Sequence, residues 1–224
     1  MRIAMVTGAN RGIGHAVATE LHARGLQVVV TARTGEDAAE AARRIGPEVR
    51  AEALDVTDQA AVTKAAERIG PVDVLVCNAG VLLDAGTDPL TVPLELVEQT
   101  FAVNVLGGWR VAQAFVPAMV AGGWGRVVFV SSGTGSFAAG LFPGSPGYSL
   151  SKTAVNGLTT MLAEQTRGTG VLVNAVNPGM TRTRMMPRAQ TEPAEVAAGI
   201  ADVATLADDG PTGAFLRGGV RLSW

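Results

Sequence analysis

The sequence predicts a doubly wound α/β domain, in which a parallel sheet of about seven strands carries helices on both faces. Short runs of β-branched residues alternate with longer helical stretches along most of the chain, which is the order of a parallel sheet with right-handed crossovers. The short runs are apolar throughout rather than alternating, as expected of strands buried on both sides. The length of 224 residues and the 47% content of hydrophobic residues suit one domain with a large core. We therefore expect residues 1–224 to form a single domain.

Each element follows from a local pattern. Apolar runs predict strands at residues 3–6, 26–31, 49–53, 72–76, 126–130 and 171–176, with a weaker seventh at 214–216. Helical periodicity predicts helices at residues 12–24, 36–45, 58–69, 94–120, 148–166 and 193–206. The stretch 94–120 is predicted to be one long helix because apolar residues recur along it and form a wide stripe: Leu94, Val97, Phe101, Val105 and Trp109.

The composition argues against several classes of protein. A net charge of −2 gives no electrostatic basis for binding nucleic acid, and no apolar stretch approaches the ~20 residues that span a bilayer. The single cysteine excludes an internal disulfide and fits a reducing compartment. The first residues enter a strand without a signal-peptide pattern, so we expect a soluble cytoplasmic protein. His15 and His22 are interpreted as ordinary helix residues, and no cluster of metal ligands is present.

A glycine-rich turn joins the first strand to the first helix. It reads Thr7-Gly-Ala-Asn-Arg-Gly-Ile-Gly14. Glycines in this context allow a sharp turn and a close approach of pyrophosphate to the helix N-terminus. The alternative is a tight turn with incidental glycines. We predict a Rossmann-type dinucleotide site whose turn contributes Gly8, Asn10, Arg11, Gly12, Ile13 and Gly14.

Two arginines predict which dinucleotide binds. Folds of this type that select NAD usually carry an acidic residue after the second strand, where it binds the ribose 2′-hydroxyl. This chain has Arg33 there, and Arg11 lies in the glycine turn. Guanidinium groups bind a 2′-phosphate through charge-assisted hydrogen bonds. We therefore predict NADP(H), the alternative being that both arginines are solvated surface charges.

Further candidates for cofactor contacts follow the third and fourth strands. Asp55 and Val56 follow the third strand, and Asn78-Ala79-Gly80 follow the fourth. Ligands of such folds collect at the carboxyl ends of the strands. Asp55 could equally be a helix cap.

A tyrosine and a lysine are spaced for catalysis. Tyr148 and Lys152 lie four residues apart, hence on one helical face, and Tyr148 is the only tyrosine. A nearby positive charge lowers the pKa of a phenol and favours proton exchange at neutral pH. The alternative is a surface pair on a helix. Ser132, at the end of the fifth strand, is placed to donate a hydrogen bond to a carbonyl oxygen, or simply to cap the following turn.

These motifs, in this order, resemble those of the short-chain dehydrogenase/reductase family along the whole chain. The glycine turn is similar to the family's TGxxxGxG motif, and residues 78–80 to its NAG motif. Asn104 falls at the family's helical asparagine, and Ser132, Tyr148 and Lys152 at its serine, tyrosine and lysine. The segment 177–183 resembles the PGxVxT segment that closes over the nicotinamide, contributing Pro178, Gly179, Thr181 and Thr183.

The resemblance implies an NADP(H)-dependent oxidoreductase acting on a small-molecule carbonyl or alcohol. Tyr148 would exchange a proton with the substrate oxygen that Ser132 polarises. Lys152 would hold the nicotinamide ribose and lower the tyrosine pKa, while Asn104 would anchor a water. The residues that lead to Arg33 and those from Gly210 to the end of the sequence look most like the corresponding segments of carbonyl reductases. Relatives form dimers or tetramers, although monomers occur. The alternative function is a non-catalytic NADP(H) sensor or scaffold.

The chain also departs from the family pattern. Cys77 stands where members often have a second asparagine, and we interpret it as core packing. The substrate-covering segment is shortened to about residues 184–191. Phe137, Leu141 and Phe142 lie in the loop after Ser132, where they line an apolar substrate pocket or cover the core.

Overall fold

The computed structural model describes all 224 residues, and its centre is one sheet of eight strands in the order β3-β2-β1-β4-β5-β6-β7-β8. Neighbouring strands are parallel except the antiparallel pair β7–β8. The strands are β1 Ile3–Val6, β2 Gln27–Ala32, β3 Arg50–Ala53, β4 Val74–Cys77, β5 Gly125–Val130, β6 Val171–Val176, β7 Phe215–Arg217 and β8 Val220–Leu222. The sheet confirms the doubly wound prediction.

Seven helices cover the two faces of the sheet. They are α1 Gly12–Ala23, α2 Gly35–Ile45, α3 Gln59–Ile69, α4 Leu94–Phe101, α5 Gly108–Gly122, α6 Pro146–Gln165 and α7 Pro193–Ala204. One cluster of 23 buried residues lies under α1, α2 and α7. A second cluster of 23 lies under α3, α5 and α6. Because the chain winds one way from β1 to β3 and the other way from β4 onward, a crevice opens where β1 and β4 meet.

Residues 94–120 do not form one regular helix, so that prediction is wrong. Residues Ala102–Gly107 between α4 and α5 form a π-helical segment, which contains one extra residue per turn. The apolar stripe is also incompletely covered, since Leu94 is 68% exposed and Trp109 is 37% exposed. The segment packs tightly, because a Cβ added at Gly107 would lie 2.6 Å from Cγ2 of Val56.

Strand β8 was not predicted from the sequence. This three-residue strand turns back on β7 through Gly218 and Gly219, both at positive φ, as two-residue hairpin turns require. None of the helices combines the length and hydropathy that a membrane-spanning segment needs.

Candidate active site

The turns after β1 and β4 are joined by hydrogen bonds at the crevice. The Thr7 hydroxyl accepts the backbone N–H groups of Asn78 and Ala79, each at 3.0 Å. The Asn78 amide nitrogen donates to the carbonyl oxygens of Thr7 at 2.9 Å and Gly8 at 3.1 Å. These contacts fix the glycine turn against the fourth strand. The role of Thr7 was not predicted from the sequence.

The glycines of this turn are required by space and by backbone conformation. Gly8 and Gly12 have φ of 62° and 56°, which disfavours residues with a Cβ. A Cβ at Gly14 would lie 2.4 Å from Nδ2 of Asn78, and one at Gly8 would lie 2.9 Å from Cα of Ala79. The next helix, α1, has no side-chain cap and no acidic residue in its first turn, so its first amides are free to bind an anion. The turn therefore fits a pyrophosphate.

Arg11 and Arg33, the two arginines predicted to bind the 2′-phosphate, are exposed. Neither Arg11 nor Arg33 forms an ion pair. Asp55 accepts the Thr57 backbone N–H at 2.9 Å and the Thr57 hydroxyl at 2.7 Å. These bonds lower the pKa of Asp55, and the positive charge of Arg33 lowers it further. The helix-cap interpretation of Asp55 is wrong, because Asp58 caps α3.

Arg44 near the end of α2 also supports the glycine turn, and sequence reasoning missed it. Its guanidinium donates to the carbonyl oxygen of Asn10 at 2.7 Å and pairs with Glu40 at 3.4 Å. The contact spans 34 residues, and a basic residue in the last turn of a helix is common for other reasons. No local signal could have identified it.

The segment after β6 folds back as a short closed loop. Oδ1 of Asn177 accepts the Gly179 N–H at 2.9 Å. Thr181 forms a bridge with Thr191, and Arg182 pairs with Glu192. The methyl group of Thr183 lies 3.4 Å from a Cβ built on Gly12, so this loop reaches the glycine turn across the crevice.

Ser132 and Tyr148 are neighbours at the end of β5. Burial raises the pKa of Tyr148, and a hydrogen bond with Ser132 opposes that shift. The Ser132 oxygen also accepts the N–H of Thr134 at 3.3 Å and its hydroxyl at 3.0 Å. Ser132 therefore caps the following turn, as one interpretation expected, and also contacts the phenol.

Lys152 is buried, so the surface-pair interpretation is wrong. Its Nζ lies 5.5 Å from the centroid of the Tyr148 ring and donates to the carbonyl oxygen of Val130 at 2.8 Å. Burial lowers the pKa of Lys152 from 10.5 to about 8. A lysine held this way is a cation beside the phenol with no carboxylate to neutralise it.

Asn104 lies in the π-helical segment and faces Lys152. Its Oδ1 accepts the N–H of Val81 at 2.8 Å, while its Nδ2 donates at 3.0 Å to the carbonyl of Val81 and to the hydroxyl of Ser151. A small cavity of about 10 Å³ lies among Asn104, Lys152, Thr7 and Cys77, which is room for one water molecule. The site thus has space for the water that the resemblance implies.

The remaining candidates separate into core and surface. Cys77 is buried, and burial raises the pKa of its thiol to about 12, which argues against a nucleophile. Phe137 and Phe142 are 70% and 52% exposed, so they do not cover the core. Arg184 and Arg188, on the short loop, are exposed and unpaired.

Comparisons with known proteins give the family. A profile of the family described as short chain dehydrogenase matches residues 2–194. The 2-(R)-hydroxypropyl-CoM dehydrogenase of Xanthobacter autotrophicus is 38% identical over 193 residues, which are 82% of this chain and 76% of that protein. The 3-oxoacyl-(acyl-carrier-protein) reductase FabG of Aquifex aeolicus is 34% identical over 197 residues, covering 82% and 75%.

Solved structures agree with the sequence relatives. A metagenomic short-chain oxidoreductase in complex with NADP has a TM-score of 0.82 and 34% identity, covering 96% of each chain. A 3-ketoacyl-(acyl-carrier-protein) reductase from Brucella melitensis complexed with NADH has a TM-score of 0.87 and 25% identity, covering 97% of each chain. Both nicotinamide dinucleotides therefore occur among the neighbours. This chain belongs to the short-chain dehydrogenase family of oxidoreductases, which bind a nicotinamide cofactor.

Proposed function

We propose that this protein reduces a ketone or aldehyde with NADPH, or oxidises the corresponding alcohol, with Tyr148 as the group that transfers the proton. The observation that supports this most strongly is that Ser132, Tyr148 and the buried Lys152 lie together at the end of β5. A sensor or scaffold on this fold would not need these groups together, so we favour an enzyme.

The proposed roles follow from the contacts. Ser132 holds and polarises the substrate oxygen, and Tyr148 donates its proton to that oxygen. Lys152 carries a positive charge that favours the phenolate left on Tyr148, and its Nζ also binds the nicotinamide ribose. Asn104 keeps the cavity beside Lys152 open for a water. When bound, NADPH supplies the hydride.

The cofactor would be held by the two turns and by the short loop. We assign to it the following residues: Gly8, Asn10, Arg11, Gly12, Ile13, Gly14, Arg33, Asp55, Val56, Asn78, Ala79, Gly80, Pro178, Gly179, Thr181 and Thr183. The preference for NADP(H) over NAD(H) is supported by the unpaired cations Arg11 and Arg33 and by the absence of an acid at Ala32.

The substrate is proposed to be a bulky, uncharged carbonyl compound, as in a carbonyl reductase. Phe137 and Phe142 offer exposed apolar surface in the loop after Ser132, and the segment 184–191 is too short to form a two-helix lid. Arg184 and Arg188 give a competing reason to expect acidic substrates, although exposed arginines are usually solvated charges.

A matched series of neutral and carboxylate-bearing ketones tests this proposal. We expect oxidation of NADPH with the neutral members, with KM falling as apolar groups are added. Each buried methylene contributes at most about 0.8 kcal/mol. A preference for carboxylates that disappears in Arg184→Ala or Arg188→Ala would contradict the apolar pocket. Failure of every carbonyl and every alcohol to react would favour the sensor.

A further inference from the structure

A buried carboxylate that the proposed chemistry does not use lies beside the catalytic helix. Asp84, in the connection after β4, is 0% exposed. No arginine, lysine or histidine forms an ion pair with it. A buried charge is costly unless several hydrogen bonds satisfy it, so the partners of Asp84 explain why it is tolerated.

Those partners are the first free amides of α6. Oδ2 of Asp84 accepts the backbone N–H of Gly147 at 2.5 Å. Both carboxylate oxygens lie 3.3 Å from the backbone nitrogen of Tyr148. The contact spans more than 60 residues of sequence and joins the two halves of the site.

The helix itself leaves this position open. Its N-cap residue, Ser145, makes no side-chain capping bond, and Pro146 at the start of the helix has no N–H. Gly147 and Tyr148 are therefore the first donors of the helix, and Asp84 takes the place of a local cap. A negative charge there also interacts favourably with the helix dipole.

The Asp84 carboxylate has little freedom to move. The backbone oxygen of Asp84 accepts the N–H of Thr87 at 3.2 Å and its hydroxyl at 2.7 Å, and the Gly86 N–H donates to Gly144 at 2.8 Å. A Cβ at Gly147 would lie 3.0 Å from Oδ2 of Asp84 and 3.1 Å from Cγ2 of Val97. Any shift of the carboxylate would be passed to the backbone of Tyr148.

We propose that Asp84 is a positioning residue, which fixes the start of α6 and so holds the Tyr148 phenol against Ser132. The proposal rests on the proton-transfer role given to Tyr148 above. The Asp84 side chain reaches the site only through the backbone N–H groups of Gly147 and Tyr148. A residue that only stabilised the fold would change the melting temperature of the protein, but not the properties of Tyr148 in the folded molecules.

The test compares Asp84→Asn with Asp88→Asn. Asp88 is a matched control, because it lies in the same connection and accepts the Leu90 N–H and the Thr91 hydroxyl, yet it forms no hydrogen bond with α6. Tyr148 is the only tyrosine, so ultraviolet titration of phenolate absorbance reports on this residue alone, without any cofactor or substrate.

We expect Asp84→Asn to move the titration midpoint of Tyr148 by about half a unit or more, because the burial that raises this pKa and the Ser132 hydrogen bond that lowers it both depend on where the phenol is held. We also expect kcat to fall about tenfold or more, with the dissociation constant of NADPH nearly unchanged. Asp88→Asn should match the wild type in the Tyr148 midpoint, in kcat and in the dissociation constant of NADPH. Equal midpoints and equal kcat in the two variants would overturn the proposal.

A second variant guards against poor folding of Asp84→Asn. Gly147→Ala keeps the charge and presses on the same contact from the helix side, so it should move the Tyr148 midpoint and lower kcat to a smaller degree. A Gly147→Ala enzyme with wild-type midpoint and kcat would overturn the proposal. If the wild type reduces no carbonyl compound, the proposed function fails, while the titration still decides the role of Asp84.

Discussion

Lys152 carries a charge that the fold places in an unfavourable environment. Lys152 is 5% exposed, and its ammonium group has only the Val130 carbonyl oxygen as a partner. Its pKa falls from 10.5 to about 8 because burial disfavours the charged form. We interpret this cost as the consequence of keeping a cation beside Tyr148, since strained or desolvated groups concentrate at functional sites.

The pH dependence of stability tests this interpretation of Lys152. Between pH 8 and pH 10.5 the folded chain has lost the Lys152 proton while the unfolded chain keeps it, so the free energy of unfolding rises with pH. Relative to Lys152→Met, we expect the wild type to gain about 2 kcal/mol between about pH 7.5 and about pH 9.5. Denaturant titrations at both pH values measure this, with Lys64→Met, on the surface, as control. If the difference in the free energy of unfolding between the wild type and Lys152→Met did not change with pH, the effect of burial on Lys152 would be contradicted.

Arg33 is expected to determine the choice of cofactor. It is exposed and unpaired, and a charge-assisted hydrogen bond to a phosphate is worth about 1.5–3 kcal/mol. We expect the unmodified enzyme to favour NADPH over NADH by at least about tenfold in kcat/KM. Arg33→Ala should narrow that ratio, because it weakens the binding of NADPH. Arg43→Ala, which removes an equal charge from the exposed side of α2, should leave the ratio unchanged. Equal efficiency of the wild type with both cofactors would contradict the assignment.

Among the secondary-structure elements, the sequence predicted best the strands that are hydrophobic along their whole length. The first six strands agree with the structure to within two residues at each end, because strands buried on both faces are apolar throughout. Strand β8 was missed because it is three residues long and mostly exposed. The π-helical segment was missed because an apolar stripe at helical spacing carries no sign of one inserted residue.

In the candidate site, too, some features could be predicted from the sequence and others could not. Residues at strand ends, such as Ser132 and Asn78, were predictable because parallel strands deliver their carboxyl ends to one edge. The contacts of Arg44 with Asn10 and of Asp84 with Tyr148 were not. Each joins elements that are far apart in sequence, and neither residue type indicates its partner. The anchoring of α6 in particular becomes visible only when the connection after β4 is packed against it.

At the scale of the whole molecule, the reversal of strand order brings the two halves together. The glycine turn after β1 is fixed by Asn78 after β4, and Thr183 from the loop after β6 approaches Gly12. Ser132, Tyr148 and Lys152 lie on the β4 side of the same crevice. The residues proposed to hold the cofactor and those proposed to transfer the proton therefore share one edge of one sheet, as the proposed reaction requires.

The proposed role of Tyr148 as the proton donor of a reduction by NADPH is tested by Tyr148→Phe. The substitution removes one oxygen atom and leaves the ring to pack. NADPH binding, measured by fluorescence titration, should stay within about twofold, while kcat for the best neutral ketone should fall by about 100-fold or more, the usual contribution of general acid catalysis. A Tyr148→Phe enzyme that bound NADPH normally and kept most of the wild-type rate would contradict the account.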